Sequence, residues 1–135
     1  MSHATVDLAR RAYAAFNTGG LEAILPFLDP EIEWSEGTDV PEPQVYRGHD
    51  GVRRQHEQFT DAWESFRLEP ERFVDAGDRL VVVLHLWARG KGSGVGIEAR
   101  VAHVWTVRGE KATKLQMYMS PETALEAVGH PFSRE

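Results

Sequence analysis

Residues 100–107 read RVAHVWTV, an alternation that places Val101, His103, Trp105 and Val107 on one face of a β-strand. An imidazole on an otherwise apolar face makes His103 a candidate functional group. Working outward, turn signals at AGD (76–78), GKGSG (90–94) and GEK (109–111) divide the C-terminal half into four strands, near 66–75, 79–89, 95–108 and 112–119. The connections suit antiparallel neighbours. Residues 80–87 are apolar on both faces apart from His85, which predicts a sheet covered on both sides. Helices would cover one side and a second subunit the other. The glycines of GKGSG look like a phosphate loop, but the segment joins two strands and no helix follows, so it reads as a hairpin turn.

Upstream of the strands the period changes. Ser2 and Thr5 are N-cap residue types, and Val6, Ala9, Tyr13 and Phe16 recur at three- and four-residue steps, as the buried stripe of a helix does. Asn17-Thr-Gly-Gly20 stops it. Residues 21–28 predict a short second helix, ended by Asp29-Pro30, although Pro26 removes a backbone donor within it. Residues 31–35 alternate as a short strand, and the Pro- and Gly-containing acidic run 36–47 reads as a loop without a regular element. A third helix starts near Gly48, with Val52, His56, Phe59 and Trp63 as its stripe, so His56 faces inward. Ser120-Pro121 opens and Gly129 closes a two-turn helix at the C-terminal end.

Composition narrows the function classes. A chain of 135 residues, 41% hydrophobic with four tryptophans, is long enough for one core, and one domain over 1–135 is expected. The net charge of −6, from 21 acidic and 15 basic residues mixed along the chain, leaves no basic face for nucleic-acid phosphates. The absence of cysteine removes disulfides, thiolate metal sites and thiol nucleophiles. The N-terminal MSHATVDLARR carries charge where a signal peptide needs an apolar run, and no apolar run approaches the length of a membrane span, so a cytoplasmic protein is expected.

Helices followed by a meander of strands form an α+β pattern. The segments LARRAYAAFNTGGLEAILPFLDPEIEW, YRGHDGVRRQHEQF, GSGVGIEARVAHVWTVRGEK and MYMSPETALEAVG, in that order and spacing, resemble the SnoaL-like branch of the NTF2-like superfamily over about residues 5–129. The resemblance implies a cystatin-like α+β cone: a strongly curved, mostly antiparallel sheet wrapped around three N-terminal helices, with a short C-terminal helix. It also implies an elongated apolar pocket and a homodimer formed through the outer sheet face. It implies no single activity, since the fold hosts isomerases, cyclases, dehydratases, epoxide hydrolases and domains without catalysis.

The chemistries of these relatives map poorly onto the chain. Ketosteroid isomerases use a carboxylate base, a tyrosine and a protonated aspartate. Those positions fall here near Trp34 or Ser35, near Ala12, and on His103. Glu36 lies beside the base position, in a loop where a glutamate is ordinarily solvated. The aspartate near the end of the last strand, used by SnoaL-type cyclases and epoxide-hydrolase-like enzymes, is absent from Met117-Tyr-Met-Ser120. Glu98 and Arg100 resemble an arginine–carboxylate element, with a salt bridge on the outer sheet surface as the simpler reading.

The histidines remain. His103 and His56 are the expected catalytic groups, because imidazole serves as base, acid or neutral donor near pH 7. Equally, a buried histidine bonded to a backbone carbonyl or to Tyr13 serves packing. Tyr13, Phe16, Trp34, Phe59, Trp63, His85, Trp105 and Met117 are the candidate ligand-binding residues, although the register leaves His85 on either face. Trp34, Phe59, Trp63, Trp87 and Trp105, set against three thin helices, favour open volume in the cone. His56, His85 and His103 lack the spacing of a metal site, so neither metal nor cofactor is expected; His3, His49 and His130 are expected to be exposed. Two readings follow: a SnoaL-like homodimer that binds a small, mostly apolar organic molecule and carries out histidine-dependent proton transfer of isomerase, cyclase or lyase type, or a non-catalytic ligand-binding or dimerisation domain.

Overall fold

The structure, a computed structural model, describes residues 3–129. Val6, Ala9, Tyr13 and Phe16 share one side of the helix α1 (His3–Gly19). Because this helix starts at His3, Thr5 sits inside its first turn instead of capping it, and Ser2 lies outside the described residues. Gly20 turns the chain at φ 78°, and its N–H donates to the Phe16 carbonyl at 2.9 Å. The expected second helix divides in two, as α2 (Leu21–Ile24) and a 3₁₀ turn (Leu25–Phe27). Pro26 explains the division, since at the start of a new turn its missing N–H breaks no bond.

The first strand, β1 (Leu28–Glu36), is longer than expected, and the loop after it contains a three-residue strand, β2 (Val45–Arg47), where no regular element was expected. Pairing with β1 at Glu33–Arg47 and Ser35–Val45 supplies the order that local composition does not. Then α3 (Gly48–Thr60) leads into β3 (Trp63–Ala76). Trp63 therefore leaves the helical stripe and opens a strand, where it pairs with Gly90. Three long strands close the meander: β4 (Arg79–Gly90), β5 (Gly96–Arg108) and β6 (Lys111–Tyr118). The helix α4 (Pro121–Ala127) follows.

The sheet runs β2-β1-β6-β5-β4-β3 and is antiparallel at every contact except β1–β6. Register shifts near Pro70 and Thr106 bend the long strands, as bulges do, and the sheet does not close into a barrel. Its inner face carries Leu80, Val82, Leu84, Trp105 and Leu115, buried against Ala9, Ala12 and Tyr13 of α1 and Val52 of α3. Its outer face carries Val74, Val81, Ala102, Val104 and Tyr118 beneath Ala124 and Leu125 of α4. The chain's own last helix thus covers part of the face expected to need a second subunit. Asn17 ties α1 to the edge strand β3: its amide donates to the Leu68 carbonyl at 2.6 Å and accepts from the Leu68 N–H at 3.1 Å. Among the described residues no helix is long and apolar enough to cross a membrane.

Candidate functional site

Between the inner face of the sheet and the helices lies a cavity of about 130 Å³. Helix α1 supplies Tyr13 and Phe16, β1 supplies Trp34, and α3 supplies Gln55, His56 and Phe59. The sheet adds Phe66, Leu68, Leu86, Val101, His103 and Met117, and Met119 lies just beyond β6. Among the described residues, no Asp, Glu, Lys or Arg lines this space. The period-two reading of residues 100–107 accounts for one side of it, because Val101 and His103 point the same way.

At the deep end, three buried side chains form a chain of hydrogen bonds. Trp105 Nε1 donates to Tyr13 Oη at 2.8 Å, and Tyr13 Oη lies 2.6 Å from His103 Nδ1. Their exposures are 0% for Trp105, 1% for Tyr13 and 3% for His103, so each polar atom needs a partner. Satisfaction of the buried groups sets the direction. Indole only donates, and the phenol's one hydrogen has no other acceptor among the described residues, so Tyr13 accepts from Trp105 and gives its own proton to His103 Nδ1. His103 must then be the Nε2–H tautomer. Among the described residues that second nitrogen has no hydrogen-bond partner, and it belongs to a ring that lines the cavity.

Burial also sets the charge. It pushes the His103 pKa down to about 3 and raises that of Tyr13, so both are neutral throughout the physiological range. His103 is therefore a neutral donor at rest. His56, half-buried on α3, sits edge-on to Phe16 at 5.8 Å and close to Phe66 at 5.6 Å. Its pKa is lowered by burial, against a smaller opposite effect of Glu57, which leaves it uncharged near pH 7. Trp34 stands across His103 in an edge-to-face arrangement at 5.5 Å.

Of the ten residues singled out in the sequence, Tyr13, Phe16, Trp34, His56, Phe59, His103 and Met117 line this one cavity. Trp105 lies behind it as the donor to Tyr13, and Trp63 at the start of β3 packs near Phe59 at 6.1 Å. His85 lies on the outer face, stacked on Trp87 at 3.8 Å and bonded to Glu98 Oε2 at 3.1 Å. Arg100 shares that face but pairs with Glu71 instead of Glu98. Ala12, the position to which the resemblance led for a phenol, is buried in the core, and its neighbour Tyr13 lines the cavity. Ser35 is buried with its hydroxyl unpartnered, and Glu36 accepts from the Gln44 N–H at 2.9 Å in the loop. His49, expected exposed, is part-buried through a 2.9 Å hydrogen bond to the Leu28 carbonyl. His130 lies outside the described residues, as does the side chain of His3. Among the described residues no three His, Asp or Glu side chains are grouped as a metal ion requires.

Sequence reasoning missed Gln55, Phe66, Leu68, Leu86 and Met119. Gln55 carries no apolar signal and lies one position from the stripe, whereas the three strand residues needed the β3–β4 register, which pairs Leu68 with Leu86.

This architecture is the α+β cone of the NTF2-like proteins. Residues 9–115 match the model of the SnoaL-like domain, and the chain belongs to that family. Among solved structures it is similar to an NTF2-like protein of unknown function from Burkholderia pseudomallei, with 21% identity over 95% of this chain and 98% of that one and a TM-score of 0.77. It is also similar to TerC co-crystallised with polyporic acid, at 23% identity over 93% of this chain and 98% of that one, TM-score 0.75. A SnoaL-like polyketide cyclase assignment from Jannaschia sp. CCS1 shares 13% identity over 96% and 94% of the two chains, TM-score 0.72. No curated protein matches the chain by sequence.

Proposed function

We propose that this SnoaL-like chain binds a small, mostly apolar organic molecule in the cavity, with His103 and His56 as its polar contacts. One observation carries the reading: a buried histidine whose Nδ1 is already satisfied by Tyr13, and whose other nitrogen has no partner among the described residues, lines a cavity together with Trp34, Phe16, Phe59 and Phe66. A packing histidine would have both nitrogens engaged. Concave, apolar walls with few polar groups are the usual make-up of a small-molecule site. Naphthalene is a suitable first probe. It should bind the wild-type protein in a calorimetric titration and lose at least about tenfold in affinity in Val101→Phe, which fills the space. Equal binding by both proteins, or none by either, would overturn the proposal.

Proton transfer is the chemistry this lining fits. In this reading His56, uncharged near pH 7 at the half-buried wall, takes the proton as base, while His103 donates from its neutral Nε2–H to oxygen that gains charge. With a substrate that turns over, His103→Gln should lower kcat/KM by at least about 10²-fold. The non-catalytic reading is favoured by one feature, the absence of any carboxylate among the described lining residues. The open part of the outer face, around Trp87, which is 37% exposed and stacked on His85, is the proposed homodimer contact.

A further inference from the structure

We infer that Gln55 is a specificity-determining residue of the cavity: it selects a ligand with an uncharged hydroxyl on its outward end, whose hydrogen goes to the Gln55 amide oxygen. This rests on the proposal that the cavity holds a small, mostly apolar organic molecule, and it gives that molecule a second polar feature, read from helix α3. Gln55 stands where the helix would otherwise carry an apolar side chain. It follows Val52, which is 1% exposed, by three residues and precedes Phe59 by four, and all three line the cavity, whereas Arg54, Glu57 and Gln58 are exposed. An amide on that inward side loses part of its hydration, and among the described residues no protein group replaces it. Asn17 and Gln58, by contrast, are each bonded, to Leu68 and to Tyr46.

The amide supplies what the rest of the wall lacks. Tyr13 is engaged with Trp105 and His103, the buried indole N–H of Trp34 can only donate, and His103 presents a hydrogen. Among the side-chain nitrogens and oxygens of the described lining, the free acceptors are therefore those of His56 and Gln55. In the proposed chemistry His56 takes a proton away. An amide oxygen has no such basicity, so it holds a hydroxyl hydrogen without removing it. Charge is selected against by the same wall, because no Lys, Arg, Asp or Glu lines it among the described residues and an ion would lose hydration without a countercharge. The exposures give the direction: Val52 is buried, Gln55 is intermediate and Met119 is 53% exposed, so the hydroxyl lies toward the open end and the apolar body lies deeper.

Naphthalene, 2-naphthol and 2-methoxynaphthalene share one ring system and differ in what they donate, and all three are uncharged at pH 7.5. In calorimetric titrations 2-naphthol should bind about tenfold more tightly than naphthalene, the scale of one net hydrogen bond. The methyl ether accepts but cannot donate, so its gain over naphthalene should stay below about twofold. Two variants locate the contact. In Gln55→Leu the ratio of naphthol to naphthalene affinity should fall to about one, whereas Gln55→Glu, which keeps acceptor oxygens and loses the N–H donors, should hold it at about tenfold or more. A glutamine that only packs, or only meets water, would not separate those two variants. A naphthol preference that survives Gln55→Leu, or a methyl ether that binds as tightly as naphthol, would overturn the inference while naphthalene binding leaves the apolar cavity standing. Failure of all three compounds to bind would remove both this inference and the function beneath it.

Discussion

At the scale of single residues, His103 is governed by burial more than by its neighbours. Its pKa in the folded protein, about 3, lies far below the 6.5 of an unperturbed imidazole. The unfolded chain therefore takes up a proton near pH 6.5 while the folded chain does not until about pH 3. The stability this group contributes is complete above pH 6.5 and is lost as pH falls through that window, at up to about 1.4 kcal/mol per pH unit. Denaturant unfolding at several pH values should show that slope, and His103→Gln should reduce it by one proton's worth. An unchanged slope would mean that His103 is not neutral and buried as described. Tyr13→Phe leaves Trp105 Nε1 and His103 Nδ1 without a partner, and unfolding should register a loss of about 2–4 kcal/mol for the two buried groups.

At the scale of elements, the strands and α1 were legible because their periodicity is set by burial along the element itself. The period-two pattern around His103 and the three-and-four pattern through Tyr13 needed no partner to be seen. What failed was local grammar overruled by pairing. Trp63 continues a helical stripe on paper, yet cross-strand contact with Gly90 draws it into β3, and β2 exists only because β1 lies beside it. Thr5 has the chemistry of a cap but is the third residue of α1. The hydrogen bond from Tyr13 to His103 spans 90 positions, and the sequence offered it only as one alternative to a backbone carbonyl. Two element-scale predictions follow from contacts of this kind. Gly37 lies against the Tyr118 ring with no room for a Cβ, so Gly37→Ala must displace the loop or the ring and should lower the thermal midpoint. Leu125 on α4 is buried over the outer core, and Leu125→Ala should cost about 2–5 kcal/mol in denaturant unfolding.

At the scale of the whole molecule, a bent sheet holds helices on its inner side with space left between them, and the family is recognisable from its order of helices and turns. The open volume was expected from the number of large aromatics, although its walls come from the register of β3 on β4 as much as from those aromatics. Part of the cover expected from a second copy comes from the chain itself, because α4 returns over Val81, Ala102 and Val104. The remainder, around His85 and Trp87, is a mixed surface of stacked rings and ion pairs. Its exposed pairs, such as Arg100 with Glu71, contribute little to folding. The account therefore places selectivity inside the cavity and leaves this surface to association: light scattering should return twice the chain mass, with Trp87→Glu shifting it to one.

The central claim is a neutral imidazole presenting Nε2–H to the cavity, and ¹⁵N spectroscopy of the histidine side chains measures it directly. The His103 signals should show a protonated Nε2 and an unprotonated Nδ1, unchanged from pH 8 down to about pH 4. Titration of that ring near pH 6.5, or a proton found on Nδ1, would contradict the account.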